Sequence, residues 1–331
     1  MYSIASTWGD VNRVEIDRSA EVDVPLAAAE EGEESGAPAS PEPDDAVTIP
    51  PSEDGIDVIL VVGSDSRENL ESTEGFGDFA GQRADVVMVM ISPRDERDPA
   101  VLSLPRDLLV DDLCTGGVHK LNDALAGCGD DLNGPTELTL TVEAITGLRV
   151  DHFAMADLAG FQDVVDSIGG YEICVDYPVR DERAGLELAA GCTRANGQQA
   201  LAWFRSRKTQ ELVDGRWRVM SGVSDLTRNE RQREFMTTMM SSVADFSSPQ
   251  DMLQIANAIA PSLTIDSGLN IFDAVGLAWT LREFGSVQSL EVPVINATTA
   301  SGAAVLTATT PVTEIVDVFL TGNTSLPVTA S

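Results

Sequence analysis

The sequence predicts an α/β fold, and three observations carry that prediction. Short apolar runs at 57–62 (DVILVV), 86–92 (VVMVMIS) and 100–104 (AVLSL) suit buried strands. Helical spacing of apolar residues follows at 135–146, at 158–167 (ending in Gly169-Gly170) and at 198–204. Each apolar strand run is preceded or followed by a charged loop, and open α/β sheets bind ligands at strand ends.

Taken in order, Val11–Val22 alternates loosely and predicts a short strand. Residues 25–55 are acidic, rich in proline and alanine, and free of aromatics, so they read as a disordered linker. The strand runs and the first helices come next. A longer helix is expected from Asp225 to about Ala244, with Phe235, Met236 and Met239 on a face offset from its charged one. Beyond Ser248 the pattern gives helices at 249–258 and 270–282, a strand near 287–294 and a final helix at 312–320, with almost no basic residues. The resulting division is an N-terminal segment at 1–24, the linker at 25–55, a catalytic domain at 56–245 and a helical and strand part at 246–331 that packs on the same domain.

Composition narrows the function. The formal charge is −33, with 54 acidic and 21 basic residues, which repels nucleic acid. No run of about 18 apolar residues spans a bilayer, and the first residues carry no apolar signal-peptide core. The four cysteines, Cys114, Cys128, Cys174 and Cys192, form no CxxC, and with two histidines a zinc site is unattractive. Of the three possible pairings, Cys114–Cys128 and Cys174–Cys192 each close a short local loop and would form outside a reducing cytosol; four buried thiols are the alternative.

Against this acidic background, basic residues gather in six blocks, five of which also hold an aspartate. They are VVGSDSR (Val61–Arg67), GQRADVVMVM (Gly81–Met90), LSLPRD (Leu102–Asp107), HKLNDA (His119–Ala124), FRSRK (Phe204–Lys208) and DLTRNERQR (Asp225–Arg233). Both lysines of the chain, Lys120 and Lys208, fall inside them. Guanidinium groups fork around phosphate oxygens and paired carboxylates hold hard divalent ions, so the blocks suggest a phosphate-handling enzyme.

The ordered blocks, with Thr141–Val179 and Ala195–Lys208 between them, resemble the LytR–CpsA–Psr family of cell-wall glycopolymer transferases over roughly Asp57–Met240. The resemblance implies a central mixed β-sheet flanked by helices on both faces. It implies transfer of a phosphoglycosyl polymer from a polyprenyl-diphosphate carrier to the N-acetylmuramic acid 6-hydroxyl of peptidoglycan, at the outer face of the cell membrane. Relatives usually carry an N-terminal transmembrane helix, and TWGDVNRVEIDR resembles the segment just after that helix, so a missing anchor upstream is expected.

Matched block to block, Asp65 and Asp85 would hold Mg²⁺ or Mn²⁺. Arg83, Arg106, Lys120, Arg205, Arg207 and Gln232 would bind the diphosphate, with Arg67 and Arg231 behind them. Arg83, Arg106, Asp225 and Arg228 would take part in catalysis, Asp225 either orienting the clamp through Arg228 or accepting the hydroxyl proton. His119 and His152 read as packing or surface residues, and Asp107 as a partner of Arg106 outside direct substrate contact. Val86, Met88, Met90, Phe153, Phe161, Val164 and Phe235 could line a lipid groove or serve as ordinary core. The glycine-bearing stretch from Glu68 to Ala80 reads as a surface insertion or, alternatively, as a loop that gates the site or selects the acceptor sugar. Two other readings use the same residues: a polyprenyl- or sugar-diphosphate hydrolase with water as acceptor, and a non-catalytic lipid-diphosphate- or glycan-binding envelope protein.

Overall fold

A computed structural model of the chain describes residues 11–18, 55–66, 82–95, 97–129, 132–206, 208–220, 253, 256–257, 259–270, 273–275 and 287–322. The strands are β1 (Asn12–Val14), β2 (Ile56–Ser64), β3 (Ala84–Pro93), β4 (Ala100–Leu104), β5 (Leu109–Asp111), β6 (Val118–Lys120), β7 (His152–Ala156), β8 (Tyr171–Val175), β9 (Val179–Asp181), β10 (Leu186–Leu188), β11 (Gly191–Ala195), β12 (Gln210–Val213), β13 (Arg216–Val219), β14 (Leu263–Asp266), β15 (Gln288–Glu291), β16 (Val294–Thr298) and β17 (Ala304–Ala308). The helices are α1 (Gly134–Thr146), α2 (Leu158–Ser167), α3 (Gly197–Arg205) and α4 (Val312–Thr321), with 3-10 turns at Leu121–Ala126 and Ala260–Ser262.

Seven strands form a central mixed sheet in the order β1-β14-β7-β2-β3-β4-β15. Strand β2 lies antiparallel to β3 and parallel to β7. Side chains alternate across a strand, so Val58, Leu60 and Val62 share one face with Val87, Val89 and Ile91. On that face they pack with Leu138 and Val142 of α1 and with Val312, Ile315 and Val316 of α4. Helix α2 covers the other face against β2 and β7. Its Gly160 lets the helix pack on the 3-10 turn at Ala260–Ser262, because a Cβ there would sit 2.2 Å from the Ser262 carbonyl oxygen. Helices on both faces of a mixed sheet are what the family resemblance implied.

A second core joins α2 and α3 to β8, β9, β10 and β11 through Val165, Tyr171, Ile173, Val179, Trp203 and Phe204. The sheet β10-β9-β12-β13 extends from it. Disulfides join Cys114 to Cys128 and Cys174 to Cys192, the latter pair directly opposite each other in β8 and β11.

The helix boundaries follow local chemistry. Asn133 caps α1 by accepting the Thr136 N–H, and Gly147 closes it in the left-handed region. Asp157 caps α2, and Asn196 with Gln199 forms a capping box on α3. The segment at 11–18 is tied down by a buried ion pair, Arg18 Nη2 lying 3.0 Å from Glu143 Oε1 in α1.

One sequence expectation changes, and one open alternative is decided in favour of core. The single strand near 287–294 is two strands, β15 and β16, interrupted at Val292-Pro293, where proline cannot supply a ladder N–H. Phe153 is fully buried in the main core and Phe161 packs on the second, so neither is a free groove residue. Val86 and Met90, on the sheet face opposite α1, are half-buried. The long helix from Asp225 and the stretch from Glu68 to Ala80 lie outside the described residues, as does most of the expected linker. Among the described residues no helix is long and apolar enough to cross a membrane.

Candidate active site

The site grows from the ends of β2 and β3. Asp65 follows β2 and exchanges two hydrogen bonds with Arg83, just before β3: the Asp65 N–H donates to the Arg83 carbonyl at 3.0 Å, and the Arg83 N–H to Asp65 Oδ1 at 2.9 Å. The register shifts here, Gly63 facing Val86 and Ser64 facing Ala84, which leaves Asp85 as the extra residue of a bulge. Bulges re-aim side chains, and this one sits where two carboxylates enter the site.

Arg106 follows β4 through Pro105 and reaches back to Asp85, its Nη1 2.5 Å from Asp85 Oδ1. Its Nε lies 3.4 Å from Asp107 Oδ2, and Lys120 at the end of β6 donates to Asp107 Oδ1 at 2.7 Å. The result is a chain of alternating charge, Asp85–Arg106–Asp107–Lys120. Arg83 Nε adds a looser contact with Asp123, at 3.5 Å. Backbone bonds set the spacing, the Asn122 N–H donating to the Arg106 carbonyl and the Leu121 N–H to that of Leu108.

Burial opposes the Arg106 charge, but Asp85 and Asp107 outweigh it and hold the guanidinium pKa above its ordinary value. For Asp107 burial also opposes ionisation, and Lys120 and Arg106 overcome it, keeping the carboxylate pKa below the usual range. Arg106 is therefore a fixed, partly desolvated cation, and its buried Nε has no hydrogen-bond partner.

Arg205 ends α3 on the second core. The loop after it is organised by Asp181, which sequence reasoning missed. Its Oδ2 accepts the Ser206 hydroxyl at 2.7 Å and the Lys208 N–H at 3.2 Å, and its Oδ1 the Arg183 N–H at 3.0 Å. Asp181 belongs to β9 rather than to a charged block, so only the tertiary contact reveals it. Asp107 pairs with Arg106 as its sequence neighbourhood implied, but its second contact, with Lys120, and that of Asp123 with Arg83 were not legible. Arg67, Arg207, Asp225, Arg228, Arg231 and Gln232 lie outside the described residues.

Asp65 and Asp85 fit a hard divalent ion by their donor chemistry. Each uses Oδ1 in a hydrogen bond, while among the described residues neither Oδ2 has a hydrogen-bond partner, leaving oxygen donors of the kind Mg²⁺ takes alongside phosphate and water. A pocket lined by Arg18, Asp151, His152, Phe153 and Asp266 lies elsewhere, toward the start of β7. There His152 pairs with Asp266 at 3.3 Å, as a packing residue does.

The chain is 34% identical over 247 residues to the "Probable cell wall biosynthesis protein LcpB" of Corynebacterium glutamicum, covering 71% of this chain and 54% of that one. It is 28% identical over 214 residues to the polyisoprenyl-teichoic acid–peptidoglycan teichoic acid transferase TagU of Halalkalibacterium halodurans, covering 64% of this chain and 61% of that one. The chain thus spans little more than half the length of these curated relatives. Its fold is similar to the solved LytR-Csp2A-Psr enzyme from Actinomyces oris, with a TM-score of 0.61, 25% identity and coverage of 80% of this chain and 89% of that one. The model of the LytR_cpsA_psr family matches residues 24–316, and the chain belongs to that LytR–CpsA–Psr family.

Proposed function

We propose that this chain transfers a phosphoglycosyl polymer from a polyprenyl-diphosphate carrier onto the 6-hydroxyl of peptidoglycan N-acetylmuramic acid, on the outer face of the cell membrane. The observation that carries the reading is the Asp85–Arg106–Asp107–Lys120 chain at the strand ends, beside Asp65 and Arg83. Family membership and the transferase name of TagU support the reaction class, and two disulfides support an oxidising compartment.

In this reaction the acceptor oxygen forms a bond to the sugar-linked phosphorus, and the bond from that phosphorus to the bridging oxygen breaks. Polyprenyl phosphate leaves with the bridging oxygen, and the hydroxyl proton passes to a base. Arg106, held charged and partly desolvated, faces the negative charge gathering on the phosphate oxygens. Arg83, Lys120, Arg205, Arg207 and Gln232 complete the grip on the diphosphate, with Arg67 and Arg231 behind them. Asp225 and Arg228 orient that grip or, through Asp225, receive the proton. Asp65 and Asp85 would hold Mg²⁺ or Mn²⁺, which would supply charge neutralisation at the diphosphate.

The test is incubation with a polyprenyl-diphosphate oligosaccharide and Mg²⁺, with and without peptidoglycan fragments, following products by mass. Sugar phosphate joined to glycan is the expected product, and Arg205→Ala abolishes it. Free sugar phosphate in the presence of acceptor would make the protein a hydrolase. Tight binding without product would make it a lipid-diphosphate- or glycan-binding protein.

A further inference from the structure

Beneath the Cys114–Cys128 disulfide, three side chains from separate segments converge. Asp112 follows β5, His119 lies in β6, and Glu137 stands in the first turn of α1. One ligand atom from each lies within 4.8 Å of the other two. His119 Nε2 and Glu137 Oε1 are 3.8 Å apart, too far for a hydrogen bond, and both are buried without any hydrogen-bond partner. The Glu137 side chain is 2% exposed. A buried acceptor left unpaired is costly, so a folded protein keeps one for a reason.

We propose that Asp112, His119 and Glu137 bind a first-row divalent cation of the zinc class, separate from the Asp65–Asp85 pair. Ligands around such an ion at bonds of about 2.0–2.2 Å stand roughly 3–4 Å apart, which matches the His119–Glu137 gap. One imidazole with two carboxylates, and water completing the shell, suits zinc or manganese better than magnesium or calcium. The carboxylate of Asp112 is already oriented. Its Oδ1 accepts the N–H groups of Cys114 and Thr115 at 2.8 and 3.1 Å, and its Oδ2 accepts the Thr115 hydroxyl at 2.6 Å.

Composition argued against zinc because the chain has no CxxC and two histidines. The bridged sulfurs are indeed not thiolate donors. What the sequence hides is that β6 and α1 bring one histidine onto two acids that stand 7 and 18 positions away along the chain. The ion pins the β5–β6 hairpin to α1. Lys120, next to His119 and on the opposite side of β6, is thereby held toward Asp107.

The test uses the full chain with disulfides intact, stripped with a chelator, loaded with zinc chloride, passed through gel filtration and assayed for metal by mass spectrometry. One retained zinc per chain is expected, with a rise in melting temperature of several degrees. Retention falls to background in His119→Ala and Glu137→Gln and persists in the Asp65→Asn, Asp85→Asn double variant. If the first two variants do not fold, cobalt loading of the unaltered chain decides. The strong visible band of a low-coordinate nitrogen and oxygen site supports the proposal, and the weak spectrum of hydrated cobalt overturns it. No retained zinc, equal retention by all variants, or loss only in the aspartate double variant would each overturn it as well.

Discussion

Arg106 and Asp85 meet at 2.5 Å between the end of β4 and the bulge in β3, so one carboxylate is shared between a fixed guanidinium and the candidate metal position. Arg106 is also the partner of Asp107, and through it of Lys120. Removing Arg106 therefore takes away the charge that the proposed reaction sets against the phosphate and leaves Asp85 and Asp107 without their shared counter-ion. Arg106→Ala should lower transfer by about 100-fold or more, the scale of losing one preorganised donor. Product mass spectrometry checks the rate, and circular dichroism checks that the fold survives. Activity within a few-fold of the unaltered chain would remove Arg106 from the site.

Asp85→Asn keeps the shape of the side chain and removes its charge. Transfer should fall steeply and, if any remains, should need far more Mg²⁺ for half-maximal rate. A titration of rate against Mg²⁺ reads this directly. An unchanged midpoint would mean that Asp85 serves only to orient Arg106.

Asp181 is a positioning residue for the loop that follows Arg205, through Ser206 and Lys208, and it also ties its own turn through the Arg183 N–H. Its pKa lies below the ordinary carboxylate value: burial opposes ionisation, and the Ser206 hydroxyl and the N–H groups of Lys208 and Arg183 outweigh it. Asp181→Ala should destabilise the fold by about 2–3 kcal/mol through the buried groups left unpaired, and lower transfer beyond that loss. Urea unfolding gives the first quantity. Rates measured well below the unfolding midpoint give the second, and a loss of stability with full activity would confine Asp181 to the scaffold.

His152 and Asp266 give the fold a pH dependence of defined sign. The hydrogen bond to Asp266 raises the His152 pKa above its ordinary 6.5, against the opposing effect of burial. Burial likewise opposes ionisation of Asp266, but the His152 hydrogen bond and the N–H groups of Phe153 and Gly268 hold its pKa below 3.8. The histidine's contribution is complete below 6.5 and disappears as pH rises through the folded value; the aspartate's is complete above 3.8 and disappears as pH falls through its folded value. The pair should stabilise most at about pH 5–6, by roughly 1 kcal/mol. Melting temperatures of the unaltered chain and of His152→Gln should differ most there and converge at alkaline pH. A difference that grows with pH would contradict the pairing.

Much of the fold was legible because burial periodicity is local. The helices at 134–146, 158–167, 197–205 and 312–321 and the strands at 56–64, 84–93 and 100–104 fall within one or two residues of their predicted ends. Their caps and apolar spacing are written within a few residues. The small strands β8 to β13 were not legible, since each is three to five residues long and owes its existence to a partner strand.

By itself the sequence determined the α/β class, the strongly acidic composition, and the short blocks in which the basic residues gather. Only the tertiary structure decided how those blocks connect: the β3 bulge that presents Asp85, the Asp107 bridge from Arg106 to Lys120, the Asp181 anchor, and the convergence of His119 with Glu137. The reason is physical. Propensity and periodicity act over a few residues, whereas an ion pair forms wherever folding leaves opposite charges within reach, however far apart they lie along the chain.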